Sequence, residues 1–311
     1  MLGLVARHGR LVLIGGLAAG VALPDLAAAM KPLIPVLVVL LLFLAAVRVD
    51  PIAALPRGRT RIDAFVYMLL TQMAFPLAMV GAFWIFGALD RMLVMGVILT
   101  FAAPPVTGST GLTILSGADP TPALRQTVVG TALLPLTVLP VFWLMPVFGT
   151  PSVVLGAAAQ LLAMIVLAGG AAIIARRTLP WLCRSEGQSL VDGVMTVTMA
   201  LTVIALMAEV GPALRTADPR LGWVIATVFA LCFVTQIAVF HGLRRTGAAM
   251  IGEVPGLAVA SGSRNLALFL GVVPPDTLAT LLLFVGCYQV PMYLTPLLMG
   301  PIVRRWGGAA M

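Results

Sequence analysis

Residues 101–111 read Phe101-Ala-Ala-Pro-Pro-Val-Thr-Gly-Ser-Thr-Gly111, and residues 253–265 read Glu253-Val-Pro-Gly-Leu-Ala-Val-Ala-Ser-Gly-Ser-Arg-Asn265. Each lies inside an apolar stretch of membrane-helix length, and neither can be one unbroken helix. Pro104 and Pro105 remove two backbone donors and clash with the preceding turn. Gly108, Gly111 and Gly262 each cost about 1 kcal/mol against Ala in a helix interior. Unwound backbone at membrane depth is tolerated only where it is buried in protein or lines a wet cavity. Two such interruptions at corresponding depths point to a binding site between them. The new half-helix N-termini suit an anion. The freed carbonyls suit a cation.

The rest of the chain supplies the membrane. Of 311 residues, 61% are hydrophobic and 10% charged, and the mean hydropathy is +1.10. A soluble domain carries about 25% charged residues, and no soluble fold of this length hides so much apolar surface. The net charge of +8 and pI near 10.7 would raise nucleic-acid binding in a soluble protein. Here they read as loop charge on one membrane face. Lys31 is the only lysine among 19 basic residues, a composition expected of a bacterial protein from a GC-rich genome. Cys183, Cys232 and Cys287 are far apart and in no metal spacing, so neither a disulfide framework nor a zinc site is expected.

A spanning helix needs about 20 apolar residues. Ten segments qualify: 10–29, 32–49, 63–88, 92–117, 122–148, 152–174, 188–209, 220–243, 250–273 and 277–303. The first is read as a span, not as a cleaved signal. The polar connections fall near 50–61, 175–187 and 211–219. With the N-terminus inside, 14 basic residues face the cytoplasm, Arg57, Arg59 and Arg61 among them, and 4 face outward. That bias predicts ten helices with both termini cytoplasmic, in a bacterial inner (plasma) membrane. Trp84, Trp143, Trp181, Trp223 and Trp306 fall near span ends, where amphipathic rings favour the interface.

Segments two to five recur as seven to ten at an offset of roughly 155 residues, the signature of an inverted repeat. Pro135 and Pro291 occupy matching places in the fifth and tenth. The expected fold is therefore all-α integral membrane, with ten transmembrane helices in two inverted five-helix repeats, 1–149 and 150–311, and discontinuous crossing helices 4 and 9.

Arg264 is the one basic residue inside a span. An Arg at the centre of a membrane helix costs at least about 2.5–3.5 kcal/mol. Two roles would justify it, and they are compatible. It can pin two helices by binding carbonyls exposed at the breaks, or it can hold an anionic substrate or stand in for a bound cation.

These residues resemble the bile acid:sodium symporter family over essentially the whole chain. The most specific pieces are Pro-Pro-Val-Thr-Gly-Ser-Thr-Gly at 104–111 and Ser-Gly-Ser-Arg-Asn at 261–265, with Gln72 before Pro76 and with Thr127 and Thr131. The resemblance implies Na+-coupled movement of an organic anion by alternating access. It implies a core bundle of helices 3–5 and 8–10 beside a panel of helices 1, 2, 6 and 7. It assigns Ser109, Thr110, Thr127 and Thr131 to one sodium shell, and Gln72 with the carbonyls around Ser261 and Ser263 to another. Pro105, Thr107, Gly108, Arg264 and Asn265 would meet the substrate, a bile-acid-like or steroid conjugate or a small carboxylate. Two positions depart from the pattern: the family's acidic residue is Ala260 here, and its Gln is Arg264. The site becomes more positive by about two charges, so a sodium ion at the second position is electrostatically disfavoured. Arg264 is then expected to occupy that cation's place, leaving coupling to fewer sodium ions, to protons or to nothing.

Other classes fit less well. An intramembrane enzyme needs a base beside Ser109 or Ser263, and the only histidines, His8 and His241, lie near membrane faces. A channel would use rings of like groups. A ligand-binding membrane receptor would bind without passage. The expected partners are a small organic anion and lipid, with no nucleic acid, no metal beyond Na+ and no resident cofactor.

Overall fold

The computed structural model describes residues 9–48, 59–247, 251–273 and 275–308. Among these the chain is all-helical, without a strand. Helix α1 (Gly9–Ala22) is followed by α2 (Pro24–Met30), a 3₁₀ turn at Lys31–Leu33 and α3 (Ile34–Arg48). Next come α4 (Arg59–Leu69), a wide π turn at Leu70–Ala74 and α5 (Phe75–Ile85). Helices α6 (Met92–Ala102) and α7 (Ser109–Ser116) flank the first break, and α8 (Thr121–Leu144) closes this half. The second half runs α9 (Pro151–Thr178), α10 (Ser185–Leu206), α11 (Val210–Arg215), α12 (Pro219–Thr246) and α13 (Val254–Ser261). A 3₁₀ stretch at Leu266–Gly271 leads to α14 (Pro275–Leu298) and α15 (Gly300–Gly308).

Seven helical stretches are long and apolar enough to cross a membrane, from Pro24–Arg48 to Thr277–Leu298. The chain is a multi-pass membrane protein. Leu155, Leu162, Leu167 and Ile174 stand exposed along α9, a face that only lipid makes stable. The buried core runs through α3, α6, α8, α9, α10 and α14, around Val38, Ile98, Leu134, Leu161, Leu206 and Phe284.

The first two segments divide elsewhere than the hydropathy predicts. The boundary falls at Leu23, not near 30–31, and Lys31 lies within a 25-residue span. Pro24 explains the shift: it lacks an N–H and its fixed φ suits a first helical turn. Pro32 does not end the helix, because the 3₁₀ turn at Lys31–Leu33 accommodates it. In the third segment Pro76 is likewise absorbed, by the π turn just before it, where Phe75 N bonds Leu70 O. Helix α4 starts at Arg59, inside the stretch read as a 50–61 connection, and Arg57 lies outside the described residues.

Two ion pairs fasten the Pro24–Arg48 span to α10. Lys31 Nζ meets Glu209 Oε1 at 2.8 Å just past one end of α10, and Arg48 Nε meets Asp192 Oδ1 at 2.6 Å near the other. Lys31 and Arg48 sit at opposite ends of their span, so it runs antiparallel to α10. Helix α1 packs on α10, and α9 packs on α3.

Candidate functional site

The two breaks meet. Ala103 is extended at φ −73°, ψ 146°, as the residue before a proline must be. Helix α7 resumes at Ser109 after the Thr107–Gly108 turn. In the other chain segment α13 stops at Ser261, and Asn265 sits at φ −91°, ψ 70°. Val106 N donates to Ser263 O at 2.7 Å, and Asn265 N donates to Pro104 O at 2.8 Å. Pro105 and Arg264 face each other across this short antiparallel bridge. Each interrupted segment thus supplies donors for carbonyls that the other leaves open.

Gly262 allows the approach. A Cβ there would lie 2.3 Å from Cys232 O and 2.5 Å from Gln236 Cγ, so α12 can pack on the break only against glycine.

Arg264 is 2% exposed and its guanidinium bonds both breaks. Nε donates to Ser261 O at 2.8 Å and Nη1 donates to Ala103 O at 3.1 Å. Those carbonyls lie at the C-terminal ends of α13 and α6. Each helix C-terminus carries about half a negative charge, so one guanidinium offsets the two together. The residue therefore pins the breaks, the first of its two expected roles.

The hydroxyl shell assigned by resemblance comes together in part. Ser109 Oγ and Thr127 Oγ1 are 2.9 Å apart. Thr127 gives its proton to Ala123 O at 2.9 Å, so Ser109 is the donor in that pair. Thr131 Oγ1 is buried without a hydrogen-bond partner, and Thr110 is half-buried on α7. In the other group, Gln72 is fully buried and donates to Gly130 O at 3.0 Å and to Thr137 Oγ1 at 2.8 Å. Gly130 O can only accept, which fixes the amide orientation. The carbonyl Oε1 of Gln72 is left without a partner. Ser263 O is used by Val106 N and Ser261 O by Arg264, while Ser263 Oγ is unpartnered.

A cavity of about 40 Å³ opens beside the crossing. That holds a few waters, so substrate entry requires the walls to move. Helices α3 and α10 contribute Leu41, Leu42, Met199, Thr202 and Val203, apolar but for Thr202; the breaks and α14 contribute Thr107, Arg264, Asn265 and Gln289. Of the residues expected to meet substrate, Thr107, Arg264 and Asn265 line it. Pro105 lies in the bridge, and a Cβ on Gly108 would sit 3.0 Å from Met199 Cε.

The chain's three tyrosines all gather here, and the sequence reading missed them. Tyr67 OH is hydrogen-bonded to Ser261 Oγ, whose proton goes to Leu257 O. Tyr288 OH donates to Gly262 O at 2.8 Å, and Tyr293 lines the cavity. Their scarcity in a chain with 13 Phe was the available signal. Gln236 was missed too. It is fully buried, donates to Thr295 Oγ1 at 3.2 Å and leaves Oε1 unpartnered, as Gln72 does in the first half.

No protein-family model matches the sequence, and no curated protein matches it closely enough to be called a relative.

Proposed function

We propose that the protein carries a small organic anion across the plasma membrane by alternating access. The reading has ten crossings in two inverted halves, 1–149 and 150–311. The core comprises helices α4–α8 and α12–α14, and the panel comprises α1–α3, α9 and α10. The single observation that carries it is the Pro105–Arg264 bridge, where two interrupted helices meet beside a cavity that the panel closes from the other side.

Support for the inverted repeat comes from two places far apart. At the crossing, Val106 bonds Ser263 and Asn265 bonds Pro104, and 159 positions separate Pro104 from Ser263 and Val106 from Asn265. The two bonds exchange under that offset, as contacts on a two-fold axis do. In the panel, 161 positions separate Lys31 from Asp192 and Arg48 from Glu209, and the pairs Lys31–Glu209 and Arg48–Asp192 exchange in the same way. Two distant contacts with nearly one offset favour a repeat over coincidence.

The cargo is anionic because the cavity wall carries Arg264 and amides, and among the described residues no Asp or Glu is buried. The largely apolar α3 and α10 lining suits a carbon skeleton. Arg264 holds Ser261 O, one of the carbonyls that the resemblance gives to a sodium ion, so the cycle takes at most the sodium of Ser109, Thr110, Thr127 and Thr131, and both termini face the cytoplasm.

The test is uptake of an organic-anion panel into proteoliposomes, paired with thermal-shift binding in sodium and in choline. Passage of at least one anion into sealed vesicles is expected. An anion that stabilises the protein but never crosses would make it a receptor.

A further inference from the structure

We infer that the carrier runs uncoupled, as an electrogenic uniporter whose direction follows the membrane potential. This rests on the carrier reading above and adds the energetics of its cycle.

Freed carbonyls at broken membrane helices are where ion-coupled carriers hold an exchangeable cation. Coupling works because that cation must bind and leave in every cycle. Here the carbonyls at the two converging C-terminal ends, Ser261 O and Ala103 O, accept from Arg264 instead. About half a negative charge at each end meets one covalently attached positive charge. The crossing is balanced by the protein's own atoms, and this cation is never released. The device that would forbid movement without a co-ion is absent from the pair of carbonyls where it should sit.

Among the described residues, the alternatives for coupling lack buried groups. A proton-coupled step uses a carboxylate or imidazole that gains and loses a proton in the core. Among the described residues, every Asp, Glu and His lies outside the buried set. A sodium ion at Ser109, Thr110, Thr127 and Thr131 would add a full positive charge to a core whose helix ends Arg264 already balances, and among the described residues no buried carboxylate offsets it. Burying an unpaired charge in a low-dielectric site is costly. Ser109 and Thr127 are already bonded to each other, and Thr127 donates to Ala123 O.

Exchange-only transport is disfavoured for the same reason. A carrier that must find a counter-anion before returning is one whose binding charge is unsatisfied without cargo. The guanidinium of Arg264 has protein carbonyls of its own, so the unloaded core carries no uncompensated charge that would block its return.

Over one full cycle Arg264 goes out and comes back. The net charge moved is the cargo's alone. For a monovalent anion, 100 mV then shifts the equilibrium distribution about fifty-fold. Under an inside-negative potential the protein drains an anion from the cytoplasm, and the chemistry that supplies the cargo lies inside the cell.

The experiment uses the purified full chain in phosphatidylethanolamine–phosphatidylglycerol vesicles, free of sodium, with potassium gradients and valinomycin setting the potential. Tritiated taurocholate and radiolabelled toluenesulfonate, both fully ionised, are the probes. The expected result is net uptake without internal anion, with an inside-to-outside ratio that rises about fifty-fold per 100 mV inside-positive and falls equally inside-negative. Uptake that ignores valinomycin and, in parallel vesicles given a sodium or a proton gradient, follows that gradient, or that requires an anion inside, overturns the uncoupled cycle and leaves the carrier intact. Passage of neither probe under any gradient overturns both readings.

Discussion

Arg264 Nη1 donates to the carbonyl oxygen of Ala103 at 3.1 Å, across 161 residues of chain. With the 2.8 Å bond from Nε to Ser261 O, one side chain ties the ends of two half-helices. Each buried carbonyl left without a donor costs about 1–3 kcal/mol. Arg264→Gln is therefore expected to lower the melting temperature in detergent by about 5–10 °C, and Arg264→Lys by less, because an ammonium can still reach one of the carbonyls. A tolerant Arg264→Gln would remove the stapling role.

The same residue yields a gain-of-function test. Combining Arg264→Gln with Ala260→Glu removes a positive charge and adds a negative one beside the crossing. The double variant is expected to be stabilised by sodium chloride and not by choline chloride, whereas the parent protein shows no such difference. Equal melting curves in the two salts would mean that the guanidinium does not stand in for a cation.

The two breaks differ in how tightly they are packed, and glycine replacements read that difference. A Cβ at Gly262 collides with the Cys232 carbonyl at 2.3 Å, while one at Gly111 meets nothing within 4 Å. Overpacking of a buried site costs about 1–3 kcal/mol, and relieving a helical glycine gains up to about 1 kcal/mol. Gly262→Ala should therefore lower thermal stability, and Gly111→Ala should leave it unchanged or raise it. Equal losses would show that the close approach of α12 to the break is not what requires glycine.

The breaks were legible because proline and glycine act locally. Pro104 and Pro105 cannot continue a helix wherever they sit, and the Ser-Gly-Ser-Arg-Asn run puts an unaffordable charge beside a flexible residue. The first span boundary was not legible, since Pro24 and Pro32 look alike in sequence and only the turn geometry shows that one starts a helix and the other is absorbed in it. Tyr67 was invisible for another reason: its partner Ser261 lies 194 positions away, and no spacing rule spans that distance. Trp306 was grouped with the interfacial tryptophans, yet it stacks on Phe240 with ring centres 3.9 Å apart.

Orientation can be read without any substitution. Cys183 is exposed in the Pro180–Cys183 turn between α9 and α10, whereas Cys232 and Cys287 are buried. Arg176, Arg177 and Arg184 surround that turn in sequence, and positively charged short connections stay cytoplasmic. A membrane-impermeant maleimide should therefore modify one thiol per chain in inverted vesicles and none in intact cells, scored by intact-protein mass. The buried thiols should react only after denaturation, which serves as the internal count. Modification from outside intact cells would reverse the orientation, and with it the sense in which an inside-negative potential drives the cargo relative to the two half-helices.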